Sequence, residues 1–272
     1  MFLNNFFYYL LQLFYFLIIT KCTSINKINQ NNILKCGYKK TSANVVKYIV
    51  GGRQSYIENW PWQVNLSLAS KISSKRYLIL KVHLKIANDE SETDVEYDYS
   101  NCGASILSDT WILTAAHCFS DRVNPKLYIL HEKNVTWKNQ YKEVKYESVI
   151  IHPEYEEHIG VNEYSTNDIA LVKLSNRSKL KGSIPVCLPE ENTILPVNAI
   201  CHITGFGATT QDDKEVIKRL REGRVVIKPD TTCIRTLQLD FYDNKTMICA
   251  GKTKFNRANS CQGDSGGITE RI

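Results

Sequence analysis

Three short segments, far apart along this chain, each carry one member of a set that is useful only when assembled. Asn259-Ser260-Cys261-Gln262-Gly263-Asp264-Ser265-Gly266-Gly267 offers a serine, Thr114-Ala115-Ala116-His117-Cys118 a histidine, and Asn167-Asp168-Ile169-Ala170-Leu171 an aspartate. A serine hydroxyl is a poor nucleophile at neutral pH. It needs an imidazole to take its proton and a carboxylate to hold that imidazole in one tautomer. Ser265, His117 and Asp168 are therefore the candidate nucleophile, base and orienting acid, and the fold must bring them to one groove. Taken singly, two of the segments have a plainer reading: Gly-Asp-Ser-Gly as a turn, Ala-His-Cys as a packed core histidine.

The bulk composition narrows the class. A chain of 272 residues, 43% hydrophobic and 23% charged, buries a sizeable core in one or two domains. Its 34 Lys and Arg against 28 Asp and Glu are spread without a basic tract, so they form a solvated surface, not a nucleic-acid footprint. The nine cysteines are an odd number, which leaves at least one without a partner.

In chain order, the nearly unbroken apolar run from Phe6 to Ile19 has the length of a signal-peptide core, not of a full membrane span. Residues 1–24 are read as a signal peptide and the product as secreted; left uncleaved, the segment would anchor the chain to a membrane. Residues 25–48 turn polar and rich in Asn and Lys, a linker or pro-segment. Trp60 to Leu66 alternates like a strand, and Ser105 to Thr114 reads as β-rich. Leu80, Val82, Leu84 and Ile86 alternate with polar residues as in a hairpin arm. The carboxylates Asp89, Glu90, Glu92, Asp94, Glu96 and Asp98 lack the glycine-containing spacing of a calcium loop and read as a solvated loop. His83, His131, His152, His158 and His202 read as surface or structural. Asn65, Asn134, Asn176 and Asn244 each head an Asn-x-Ser/Thr sequon, a glycosylation signal in a secreted chain, although Asn65 falls in a predicted strand.

The three motif segments, in the order His, Asp, Ser and after Ile49-Val50-Gly51-Gly52, resemble the chymotrypsin/trypsin family of secreted serine endopeptidases from about Cys36 to Gly267. The resemblance implies an all-β fold of two Greek-key barrels, the first over residues 49–184 with His117 and Asp168, the second over residues 185–272 with Ser265. It implies peptide hydrolysis through an acyl-enzyme, with the backbone amides of Gly263 and Ser265 as oxyanion donors and no metal or organic cofactor. It also implies activation by cleavage before Ile49, whose freed amine would pair with Asp264. Implied disulfides are Cys36–Cys187, which tethers the pro-segment, Cys102–Cys118 and Cys233–Cys249. Implied partners are a protein or peptide substrate, an activating protease, and inhibitors of serpin or Kunitz type.

The sequence also departs from the family pattern. Tyr48 stands before the activation bond where Arg or Lys is usual, which points to a chymotrypsin-like activator or to none. Asn259, six residues before the nucleophile, occupies the specificity-pocket position that is Asp in trypsin-like members. A neutral amide cannot offset the desolvation of a substrate Lys or Arg, so an apolar, aromatic or neutral preference is expected. Phe206 replaces the usual Trp. The family continues well beyond the nucleophile loop, so the second barrel is expected to be incomplete over these 272 residues, with Cys201 and Cys261 unpaired and activity poor. The rival reading is a non-catalytic secreted binding protein on a protease scaffold.

Overall fold

The computed structural model describes residues 36–37, 46–47, 52–71, 97–120, 125–130, 142–158, 164–175, 180, 183–190, 193–208, 220–237, 242–252, 260, 263–267 and 269–270. The predicted signal segment, the hairpin arm around Leu80 to Ile86, Asp89 to Glu96, His83 and His131 lie outside the described residues. Asp98 falls within a strand.

In chain order the strands are β1 (Val46–Lys47), β2 (Arg53–Gln54), β3 (Gln63–Lys71), β4 (Tyr97–Ile106), β5 (Trp111–Thr114), β6 (Lys126–Leu130), β7 (Lys142–Val144), β8 (Tyr146–Ile151), β9 (Glu156–His158), β10 (Tyr164–Thr166), β11 (Ala170–Leu174), β12 (Ile200–Gly205), β13 (Arg221–Ile227), β14 (Ala250–Gly251) and β15 (Thr269–Glu270). One α-helix, α1 (Asp230–Leu237), and two single 3-10 turns, Ile57–Asn59 and Ala116–Cys118, complete the described elements.

The first sheet runs β7-β6-β3-β4-β5-β11-β8, every neighbouring pair antiparallel. Its two edges, β7 and β8, are separated in sequence only by Lys145. One continuous stretch therefore bends at Lys145 and serves both edges, which closes the sheet into a nearly complete six-stranded barrel and leaves few edge groups unpaired. Ser105 to Thr114, read as β-rich, spans the end of β4 and all of β5. Ser108 Oγ accepts the N–H groups of Thr110 and Trp111, and Leu107 N–H donates to Trp111 O at 2.9 Å, turning the chain between β4 and β5. The second sheet runs β1-β2-β13-β12-β15, with β14 also on β13; β9 and β10 form a separate hairpin. The fold is all-β and trypsin-like.

Alternation along β3 turns Val64, Leu66 and Leu68 into the main core, with Trp60 and Trp62 edge-to-face 6.4 Å apart. Phe206 and Leu220, which flank the second sheet's strands, join the same cluster. Thr204 Oγ of β12 donates to the buried Gln63 Oε1 of β3 at 2.7 Å, a polar tie between the sheets. A smaller core of Ala199, Cys201, Val225 and Ile227 sits under the second sheet. The disulfides Cys36–Cys187, Cys102–Cys118 and Cys233–Cys249 all form as expected. His152 and His202 are buried, hence structural. His158 stacks on Tyr164 across the β9–β10 hairpin at 4.3 Å. Among the described residues no helix is long and apolar enough to cross a membrane.

Candidate active site

His117 rides on the 3-10 turn that ends β5. Phe119 and Ser120 N–H groups both donate to Ala116 O, at 2.9 and 3.1 Å, and the Cys102–Cys118 bridge ties the turn to β4. Asp168 lies two residues before β11. The residue ahead of it, Asn167, has φ 52°, a left-handed conformation that Asn tolerates better than most residues. Its side-chain amide donates to Glu154 O at 2.8 Å, and Ile169 N–H donates to Asn167 O at 2.8 Å. This kink aims the Asp168 carboxylate back at the histidine turn.

The carboxylate holds His117 at two points. Oδ1 accepts the His117 backbone N–H at 2.9 Å, and Oδ2 bonds ring Nδ1 at 2.7 Å. With Nδ1 donating, Nε2 is left with the lone pair. The hydrogen bond to Asp168 raises the imidazole pKa above its ordinary 6.5; burial opposes this, and the charges of Asp168 and Glu157 add to it. Glu157 is itself held by Ser120 Oγ at 3.1 Å and Tyr155 Oη at 2.5 Å, a neighbour with no local signal in the sequence.

Ser265 is placed through the backbone of its loop. Gly103 N–H donates to Ser265 O at 2.6 Å, Thr114 Oγ donates to Gly103 O at 2.8 Å, and Gly267 N–H donates to Asp264 O at 2.8 Å. The loop packs so closely on β4 and β5 that a Cβ at Gly266 would stand 2.4 Å from Thr114 Oγ1, and one at Gly103 would stand 2.7 Å from Gly267. Gly266 also has φ 77° and Gly263 φ 92°, conformations open to glycine. The strand end that carries His117 is thus the surface on which the serine loop is seated. Asp264 points the other way: its Oδ1 accepts Gly207 N–H at 2.7 Å, and there is no room for a side chain at Gly205 or Gly207.

His117 is grouped with Cys102 and Cys118, a set with metal-ligand types, but both sulfurs are committed to a disulfide. A groove of about 350 Å³ lined by Ile194, Leu195, Met247 and Ile248 lies beside the second sheet; the sequon Asn244 and the disulfide Cys249 are on its wall, and His117, Asp168, Gly263, Asp264 and Ser265 are not. Ile49, Asn259, Cys261, Asn134 and Asn176 lie outside the described residues. Cys201 is buried. Asn244 is exposed within a turn, whereas Asn65 is 0% exposed in β3, between β4 and β6, where a glycan has no room.

Comparison with known proteins agrees with this architecture. The sequence model of the Trypsin family matches residues 49–268. Ovochymase of Halocynthia roretzi is 29% identical over 249 residues, covering 89% of this chain and 14% of that protein. Serine protease 56 of Homo sapiens is 32% identical over 237 residues, covering 85% of this chain and 33% of that protein. The chain therefore spans a third or less of these relatives. With the family match covering most of the sequence, the barrel closed at Lys145 and a carboxylate bonded to the imidazole, the chain belongs to the trypsin family.

Proposed function

We propose that this chain is a serine endopeptidase that cleaves peptide bonds through an acyl-enzyme on Ser265. The observation that carries the reading is the 2.7 Å bond between His117 Nδ1 and Asp168 Oδ2, with the serine loop seated on the strand end that leads into His117. Nε2 takes the Ser265 hydroxyl proton as Oγ attacks the substrate carbonyl. The amides of Gly263 and Ser265 donate to the developing oxyanion. The proton then passes from Nε2 to the leaving amine, the C–N bond breaks, and the ester on Ser265 remains. Water attacks the ester by the same route and restores the hydroxyl.

Asp168 keeps its charge throughout and stabilises the imidazolium. Cleavage before Ile49 frees an amine that pairs with Asp264 and orders the Gly263–Ser265 amides. Asn259 gives a pocket that disfavours substrate Lys and Arg. Three disulfides fit an oxidising, extracellular compartment, with protein substrates, an activating protease and serpin- or Kunitz-type inhibitors as partners.

A fluorophosphonate probe applied to the protein secreted from its own gene tests the proposal. Covalent labelling of Ser265, abolished by His117→Ala, is expected. A folded, cleaved protein that resists the probe would instead favour the non-catalytic binding role.

A further inference from the structure

Glu222 of β13 is a carboxylate that the proposed chemistry does not use. It is only 4% exposed, yet both of its oxygens are occupied. Ser55 Oγ donates to Oε2 at 2.6 Å, Trp60 Nε1–H donates to the same oxygen at 2.7 Å, and Arg53 Nε pairs with Oε1. Trp60 Nε1–H also reaches Ser55 Oγ at 3.0 Å. On the backbone, Arg53 and Gln54 pair with Glu222 and Arg221, and Ser55 N–H donates to Leu220 O at 2.8 Å. A buried carboxylate is costly unless such a set is complete, and every one of its partners lies between residues 53 and 60.

That clustering puts the anchor next to the acceptor of the freed amine. Asp264 lies against Gly205 of β12, Gly205 pairs with Arg221 of β13, and Arg221 pairs with Gln54 of β2. By the same register Thr204, next to Gly205, pairs with Glu222, and Glu222 with Arg53, so two strand spacings, about 10 Å, separate Arg53 from Thr204. Residues 49–52 span at most about 14 Å when extended. A tether only a few ångström longer than the gap keeps an amine near its partner at high effective concentration, whereas a released one loses that advantage.

We propose that Glu222 is a positioning residue that sets the reach of the new amino terminus, by clamping Arg53, Ser55 and Trp60 to β13. The inference rests on the activation reading above, and its test separates the two. The protein is cut at Tyr48–Ile49 with limiting chymotrypsin and treated with cyanate, and carbamylation of the Ile49 amine is followed by mass spectrometry. Wild type is expected to be protected roughly tenfold or more relative to the denatured chain. Glu222→Gln should lose most of that protection, Glu222→Asp should recover part of it, and the milder Ser55→Ala should react about two- to threefold faster than wild type. Intact disulfides and native near-UV circular dichroism establish that each variant is folded; where Glu222→Gln does not fold, Ser55→Ala carries the comparison. Asp264→Asn is the separate arm. If it leaves the amine protected, the activation reading fails. If it exposes the amine while folded Glu222 and Ser55 variants remain as protected as wild type, the anchor alone is overturned.

Discussion

At the scale of single residues, the site depends on how Asp168 and the glycines constrain their neighbours. Asp168→Asn keeps the shape but offers Nδ1 an amide in place of a carboxylate, which favours the wrong imidazole tautomer. In the family's best-studied triad that change lowers kcat roughly 10⁴-fold, and a loss of the same order in peptide hydrolysis is expected here. Gly266→Ala meets two obstacles, the 2.4 Å approach to Thr114 Oγ1 and a φ of 77°. Backbone strain of this kind costs on the order of 1–3 kcal/mol, and the loop that carries Ser265 must shift to relieve it. Thermal melting should move down and turnover should fall together. A variant with native melting and native turnover would contradict the seating of the serine loop on β5.

At the scale of elements, the join between β2 and β13 makes a pH prediction. Burial pushes the Glu222 carboxyl up, but hydrogen bonds from Ser55, Trp60 and Arg53, with the guanidinium charge, outweigh it and hold the group below its ordinary 4.5. A carboxyl whose pKa is lowered by folding contributes stability that is fully present above 4.5 and is lost as pH falls through the lowered value. Glu222→Gln should therefore flatten the acid limb of a stability-versus-pH curve measured by urea unfolding; an unchanged acid limb would contradict the network. The Cys102–Cys118 bridge closes a loop of sequence separation 16, for which chain-entropy arguments give about 3 kcal/mol. Replacing both cysteines by serine should lower the unfolding free energy by about that amount.

At the scale of the whole molecule, the candidate site is legible in the sequence because its parts are local words. The His, Asp and Ser segments each announce themselves within a few residues, and the strand at Trp60 to Leu66 follows from alternation. The three cysteine pairings follow from the family resemblance. What stayed hidden is set by contacts at long separation. No local pattern links Glu222 to Ser55, 167 residues away, or Glu157 to Ser120, and the closure of the barrel by one strand bent at Lys145 has no signature in composition. Glycosylation tests the same distinction. On protein expressed through the secretory pathway of a glycosylating host, peptide mapping should find glycan at the exposed Asn244 and none at Asn65, whose sequon is sound in sequence but lies in a buried central strand.

The central claim is that His117, held by Asp168, is the base that activates Ser265. The pH dependence of the rate at which the fluorophosphonate labels Ser265 tests it most directly. His117 must be neutral to accept the proton, and its pKa is raised above 6.5. The rate should therefore climb through a single ionisation above that value, and the midpoint should move to lower pH in Asp168→Asn. Labelling that is independent of pH across this range, or unchanged by Asp168→Asn, would contradict the account.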